Sequence, residues 1–458
     1  MSEVASDRGV AVEAGADAGG GVGVGIVGCG YVFDHYLATW GRHPELRLVG
    51  VTDIDRARVD AVTDAYDLHG YADLDVMLAD PAVDIVVNLT GIASHAEVTR
   101  AAILAGKHVF TEKPVAEGLE QARALFDLAE QHGVMLGAAP SNALSPSIQT
   151  LWKALRDGAV GTPRVVYAEF DDNPIYLMHP ERWRSRTGAP WPYVHEYEHG
   201  CTIEHAGYHL VWLCALFGPV TSVTAFAKQV IPDKTNVPLD PPDTPDLSVA
   251  CLDFASGVVA RVTFSIAAPL DHSLQIFGDE GMLSVETYRH YECPVLLERF
   301  TDVTLNARKA RSVRTNGLLR WLLGVGGRRL PLVPAPFGRA PASAGPEASR
   351  SVTSLLERLK RRETGVQDKT IGIAELAAAV RAGRPPFPAP DLSIHVTELT
   401  YAIQEAGTQG GPHRLRTTFE PPSPAPSTLQ APGDYRPPLR TRLLDALLRR
   451  RLDRMHQH

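Results

Sequence analysis

The stretch Gly25-Ile26-Val27-Gly28-Cys29-Gly30 is a Gly-x-Gly turn at the end of a short apolar run, with Tyr31-Val32-Phe33 after it. Gly28 permits a tight turn, and Gly30 lets backbone N–H groups approach a pyrophosphate. The N-terminus of the helix that follows adds positive potential. Asp53 closes the next apolar run, 20 residues beyond Phe33. A carboxylate at that spacing meets the ribose hydroxyls of a dinucleotide. It favours NAD over NADP, whose 2′-phosphate would face a like charge; Arg56 is the one nearby residue that points the other way. The third fingerprint position holds Phe33 instead of glycine or alanine. The expectation is a slightly displaced helix, the ring tucked beneath it and the phosphate site intact.

A second concentration of reactive residues lies in "MHPERWRSRTGAPWPYVHEYEHGCTIEH". Trp183, Trp191, Tyr193 and Tyr197 stand there among His179, His195 and His199. Flat aromatics beside polar groups suit a sugar or polyol ring. His195/His199 and His205/His209 are each four residues apart, so each pair would share one face of a helix and could ligate a metal. Pro192 and Gly200 argue against a helix for the first pair, and the expectation is no bound metal.

These residues need elements to hold them. From Gly23 to about Gly137 short apolar runs alternate with amphipathic stretches, which predicts a doubly wound parallel sheet. Ser94-His95-Ala96-Glu97 reads as a capping box that opens one of its helices. After Asn142 come valine- and aromatic-rich runs separated by Gly, Pro and Asp. These predict an α+β domain with a mostly antiparallel open sheet and helices on one face. The division expected is a disordered leader at 1–21, a Rossmann domain at 22–142 and a substrate and oligomerisation domain at 143–420. That last domain carries a flexible Arg/Gly/Pro-rich insertion at about 306–350. A proline-rich tail with a basic terminal helix occupies 421–458.

The segments "GIVGCG", "VDIVVNLTGIASHAEV" and "AGKHVFTEKP", with "GYHLVWLCALFGPVTSV" and "DKTIGIAELAAAVRAGRPP" later on, make the sequence similar to the Gfo/Idh/MocA oxidoreductases. That resemblance implies a two-domain dehydrogenase. Lys113 of Glu112-Lys113-Pro114 would lie beside the nicotinamide and the reacting carbinol, aimed by a cis proline at Pro114. Tyr31, Val32, Thr90, His95 and Glu112 would line the cofactor. His209 would be the acid/base of the second domain, and Trp183, Arg184 and Tyr193 would touch substrate. The chemistry is coherent: oxidising a secondary alcohol by hydride transfer requires a base for the hydroxyl proton. A lysine beside a cationic ring or a histidine is suited to that. The sequence departs from the family pattern at His205, where an aspartate is usual, so Glu204 or His205 would supply that role. It also departs at Gly91, Ala143 and Trp212.

The chain has 458 residues and a formal net charge of -8, which gives no global pull toward nucleic acid. Its five cysteines are scattered, as suits a reducing compartment. The leader lacks the basic and apolar regions of a secretory signal, and no run is long enough to span a membrane. The protein expected is a cytoplasmic homo-oligomer, dimer or tetramer, acting on a sugar, sugar derivative or cyclitol with NAD. The alternative is a non-catalytic nucleotide or sugar sensor on the same fold, which the altered aspartate position and the basic insertion and tail would favour.

Overall fold

The computed structural model describes residues 21–338, 367–423, 433–437 and 439–455. The expected leader, apart from Gly21, and residues 339–350 of the expected insertion lie outside the described residues.

The chain divides into two compact units, each discontinuous in sequence. The first comprises residues up to 139 together with 179–193 and 337–390; the second comprises 140–178, 194–336 and 391 onward. In the first unit the order is β1 (Val22–Val27), α1 (Phe33–Trp40), β2 (Leu46–Thr52), α2 (Arg56–Tyr66), α3 (Leu74–Ala79), β3 (Ile85–Asn88), α4 (Ile92–Leu104), β4 (His108–Thr111), α5 (Leu119–Gln131) and β5 (Leu136–Ala138). All five strands are parallel, in the order β2-β1-β3-β4-β5. Both faces of β1 and β3 are buried, as expected of strands covered by helices on either side. The sheet order reverses beside β1, so the carboxyl ends of β1 and β3 flank the crevice where doubly wound sheets bind ligands.

Phe33 sits in the core of this unit, fully buried against Tyr66. The ring lies beneath the helix, as its apolar bulk requires. The capping box does not form. Helix α4 begins three residues earlier, at Ile92, with Gly91 in place of Ser94 as its N-cap and Ser94 N–H bonded to the Gly91 carbonyl. Ser94 and His95 therefore stand inside the helix, and His95 is turned to another use described below.

The second unit contains α6 (Pro146–Arg156), β6 (Pro163–Asp171), α7 (Tyr193–His199), α8 (Cys201–His205), α9 (Gly207–Phe217), β7 (Val220–Lys228), β8 (Leu247–Phe254), β9 (Val259–Ser265), β10 (Leu274–Gly278), β11 (Gly281–Val285) and β12 (Leu296–Arg299). Only Tyr193, the first residue of α7, belongs to the other unit. Among the described residues the second unit's sheet has nine strands, antiparallel except for the β6–β9 pair. Burial alternates along β6, β8 and β9, so one face meets helices and the other is open. Pro192 and Gly200 bound α7 without preventing it. Proline is tolerated at a helix start, and Gly200 takes φ 88 just past its end. The expectation of an irregular segment there is corrected.

The described part of the expected insertion is ordered as well. It forms α10 (Asp302–Ala307), α11 (Arg311–Thr315), α12 (Gly317–Leu323) and the edge strand β13 (Arg328–Arg329), which pairs with β12. Asn316 caps α12 with hydrogen bonds from the N–H groups of Leu318 and Leu319. Later come α13 (Ile371–Ala382) in the first unit, then α14 (Pro390–Gln409), β14 (Pro412–Arg414) and α15 (Leu439–Met455).

Candidate active site

The candidate cofactor site lies in the first unit, at the carboxyl ends of its strands. Gly28 adopts φ 102, and a Cβ there would lie 2.7 Å from the Leu89 backbone. Only glycine fits this turn. Gly30 is different: a Cβ built on it meets nothing within 4 Å. The backbone there faces open space ahead of α1, as a pyrophosphate cradle requires. Tyr31 and Val32 complete the turn, Val32 as the N-cap of α1. Burial and the nearby Asp34 carboxylate raise the Tyr31 phenol.

Asp53 ties this turn to β2. One carboxylate oxygen accepts the Cys29 N–H at 2.7 Å and the other accepts the Asp55 N–H at 2.9 Å. A carboxylate has about four acceptor sites, so two remain for ribose hydroxyls. Arg56 is engaged by Asp60 at 2.9 Å and by the Tyr71 carbonyl at 3.3 Å. Its guanidinium is therefore committed elsewhere and does not form a ready 2′-phosphate clamp. The open cradle, the helix N-terminus and the Asp53 carboxylate together fit NAD.

Glu112 gathers the charges beside this turn's sheet edge in the first unit. Its carboxylate accepts from Tyr36 Oη at 2.9 Å, Lys369 Nζ at 3.4 Å and the Lys113 N–H at 3.1 Å. Burial pushes its pKa up, but Lys369 and Lys113, with the hydrogen bonds, bring it down to about 2. Lys113 is half-buried beside it, and the Lys113–Pro114 peptide is cis. Lys369 arrives from a stretch pinned to α1: Thr370 Oγ1 donates to the Tyr36 carbonyl at 2.7 Å, and His43 Nε2 lies 3.0 Å from Asp368.

Thr90 and His95 brace the Glu112-Lys113-Pro114 loop. The Thr90 N–H and hydroxyl donate to Asn88 Oδ1, and Asn88 Nδ2 donates to the His95 carbonyl and to Thr99. The buried His95 ring sets Nδ1 2.7 Å from the Pro114 carbonyl and Nε2 3.0 Å from the Thr90 carbonyl. Burial drives the ring toward its neutral form, in which it donates to one of the two oxygens only. Set between these backbone carbonyls, His95 positions the loop.

Residues 179–193 also belong to the first unit. Trp183 packs against Trp191 with ring centroids 4.8 Å apart. The exposed Arg184 guanidinium donates to the carbonyls of Glu181 and Trp183. Asp34 anchors the segment by accepting from the Thr187 N–H at 2.8 Å and Oγ1 at 3.0 Å. Tyr193, half-buried, stands at the start of α7.

The second unit carries its own polar cluster around Phe170. His205 Nε2 lies 2.7 Å from Glu196 Oε1, with both side chains buried. His205 and His272 pack against the Phe170 ring at 4.5 and 4.6 Å. The Arg289 guanidinium covers Phe170 at 5.1 Å and Tyr208 at 4.9 Å. Asp172 lies 3.4 Å from both His272 and Arg289; burial opposes its charge, but these partners hold its carboxyl well below the usual range. Helix α7, which presents Glu196, is held by Thr244 Oγ1 donating to the Glu198 carbonyl and by Lys234 over the Tyr197 ring.

His209 sits apart from this polar grouping. It is fully buried among Tyr288 at 4.4 Å, Phe264 at 5.7 Å and Trp212 at 5.8 Å. Burial lowers its pKa to about 3. Neither ring nitrogen completes a well-formed hydrogen bond among the described residues, although the Glu169 backbone adds a favourable interaction. Glu204, next to His205 in sequence, is half-buried. His195 and His199 share a helical face with rings 6.2 Å apart, and His199 Nδ1 meets the His195 carbonyl. Among the described residues no three His, Cys, Asp or Glu side chains converge as a metal site would need.

Sequence reasoning did not find Glu196, Lys369 or Tyr36. Glu196 left a signal in "HEYEH", where either acid could face a histidine. Lys369 left none, because its partner is 257 positions away.

The family model described as an oxidoreductase family with an NAD-binding Rossmann fold matches residues 22–139, and the GFO/IDH/MocA C-terminal domain model matches residues 148–284. The chain is 29% identical over 273 residues to D-apiose dehydrogenase of Paraburkholderia graminis, covering 56% of this chain and 66% of that protein. Among solved structures it resembles levoglucosan dehydrogenase in complex with NADH and L-sorbose, with a TM-score of 0.65 and 19% identity over 87% of this chain and 100% of that one. It also resembles the WlbA dehydrogenase of Bordetella pertussis in complex with NADH and UDP-GlcNAcA, with a TM-score of 0.59 and 19% identity over 87% and 99%. At these identities the two structures speak for the fold.

Proposed function

The chain belongs to the Gfo/Idh/MocA oxidoreductases, and on that premise we propose that it is an NAD-dependent dehydrogenase acting on a secondary alcohol of a sugar, sugar derivative or cyclitol. The observation that carries the proposal is the buried Glu112 carboxylate, charged and held between Tyr36, Lys369 and the Lys113 N–H. Such a site fixes the backbone of Lys113 just past the end of β4, on the same carboxyl edge of the sheet as the dinucleotide turn. The relatives named for apiose and levoglucosan support a sugar-like substrate.

The cofactor, when bound, supplies the hydride acceptor at nicotinamide C4. Gly28, Gly30 and the start of α1 would hold its pyrophosphate, and Asp53 its ribose. Lys113 would bind the reacting hydroxyl and take part in moving its proton. Of the second unit's candidates, His205 has the better geometry for a proton acceptor. A carboxylate only accepts, so Glu196 fixes the proton of a neutral His205 on Nε2, leaving Nδ1 as a lone-pair acceptor. Nδ1 is buried and has no hydrogen-bond partner among the described residues. His209, enclosed by aromatic rings, packs α9, the helix that follows α8, into the core. Trp183, Arg184 and Tyr193 remain proposed substrate contacts.

The open face of the large sheet exposes Tyr167, Phe226 and Val259. We infer a homo-oligomer joined on that face. A cytoplasmic location completes the proposal and suits cysteines that are free throughout.

Thermal unfolding with NADH, NADPH and no ligand tests the cofactor. At about a hundred times the dissociation constant a native-state ligand adds roughly 2.7 kcal/mol. NADH should raise the midpoint and NADPH should do little. A sugar and cyclitol turnover screen follows, with Lys113→Met expected to abolish turnover and keep the NADH shift. Binding without turnover on any substrate would favour the sensor reading instead.

A further inference from the structure

Helices α12 and α15 carry exposed apolar residues that nothing among the described residues covers. On α15, Leu439, Leu443 and Leu447 are spaced four apart, share one face and are 63%, 58% and 61% exposed. On α12, Leu318, Trp321 and Leu322 are exposed as well, Leu318 by 70%. The two helices pack together. Arg440 Nε donates to the Trp321 carbonyl at 2.9 Å, and its guanidinium lies 4.2 Å from the Trp321 ring centre. A Cβ on Gly324, just past α12, would come within 2.7 Å of Thr441 Oγ1. The two helices therefore meet where Arg440 stacks on Trp321.

Charge sets this region apart. Residues 311–329 contain five arginines and no aspartate or glutamate, and residues 439–455 contain six arginines against two aspartates. The whole chain carries a formal net charge of -8. Exposed leucines, a tryptophan and dense arginine are the make-up of a helix that lies in a membrane interface, its apolar side in the acyl boundary and its cations at anionic headgroups.

We propose that the α12–α15 surface binds the face of an anionic lipid bilayer, making this a peripheral membrane protein. No helix among the described residues is long and apolar enough to cross a membrane, so the contact is interfacial. A bilayer satisfies both halves of the surface at once. Nucleic acid would meet the arginines but offers no apolar phase for Leu439, Leu443 and Leu447. A second copy docked by a two-fold axis would set the arginine-rich surface against itself.

The test is flotation of the full-length chain with phosphatidylcholine vesicles, with and without about 30% phosphatidylglycerol, at low and high salt. Partition should be at least tenfold stronger with the anionic lipid, and should fall about tenfold when salt rises from about 0.05 to 0.5 M. The triple variant Leu439→Glu/Leu443→Glu/Leu447→Glu should stop floating while keeping the wild-type unfolding midpoint, since the three side chains are exposed. Absence of flotation by the wild type, or equal flotation by the triple variant, overturns the proposal. So does a wild-type oligomer that the triple variant dissociates in the absence of lipid, which would assign the face to a second copy.

Discussion

His205 Nε2 and Glu196 Oε1 are 2.7 Å apart inside the second unit. His205 stands at the position where the family resemblance implies an aspartate. A histidine oriented by a carboxylate can accept a proton at its other nitrogen, as in hydrolase triads. Glu196→Gln keeps the shape but no longer dictates the tautomer. It should lower kcat by about 10²–10⁴-fold and shift the pH profile of kcat/KM, and Glu196→Asp should recover part of the loss. An unchanged profile with normal kcat in Glu196→Gln would remove His205 from proton transfer.

Lys369 tests the other half. Its ammonium is 3.4 Å from Glu112, and Lys369→Met leaves that buried carboxylate with Tyr36 and Lys113. The variant should lose about 1–3 kcal/mol at neutral pH. Glu112 has a folded pKa depressed to about 2. Its stabilisation is therefore present above the ordinary carboxylate pKa and lost as pH falls toward 2. The gap between variant and wild type in urea unfolding should narrow between pH 5 and about pH 3. A gap independent of pH would mean that the ion pair contributes nothing beyond packing.

These two pairs mark what the sequence made legible. The first unit's strands were readable because each apolar run is local and both its faces are buried. Gly28, Gly30 and Asp53 were readable because turn chemistry and spacing are local too. Lys369 was not, since folding alone brings residue 369 to α1. Glu196 was missed because Glu204 is nearer His205 in sequence, yet adjacent residues on a helix point about 100° apart while a turn at Gly200 carries Glu196 back onto the ring. Phe33 was placed correctly because a large apolar side chain at a helix start has nowhere to go but the core.

Gly30 and Gly28 separate cofactor binding from folding. A methyl on Gly30 meets no atom within 4 Å, so Gly30→Ala should keep its unfolding midpoint in the absence of ligand. It should weaken NADH by at least about tenfold, because backbone approach to the pyrophosphate is blocked. Gly28→Ala would combine φ 102 with a contact of 2.7 Å to the Leu89 backbone and should destabilise the apoprotein by more than about 1 kcal/mol. Fluorescence titration with NADH beside urea unfolding reads both. Equal NADH affinity in Gly30→Ala would move the pyrophosphate away from this turn.

His43 predicts the alkaline limit of the first unit. Its ring is buried, which lowers its pKa, but hydrogen bonds to Asp368 and Glu45 raise it to about 9. Arg42 lies 3.8 Å from the same Asp368 and Arg381 acts on Glu45, so the site holds cations as well as the two acids. A folded pKa above the unfolded value of about 6.5 means the imidazolium stabilises the fold fully below pH 6.5 and ceases to do so as pH rises through about 9. At pH 7 the contribution is on the order of 2 kcal/mol. Because Asp368 immediately precedes Lys369, losing this contact loosens the stretch that neutralises Glu112. Urea unfolding of the wild type should weaken from pH 7 to pH 9.5, and His43→Gln should be less stable at pH 7 with a flatter slope over that range. A parallel slope in His43→Gln would assign the alkaline loss to other groups.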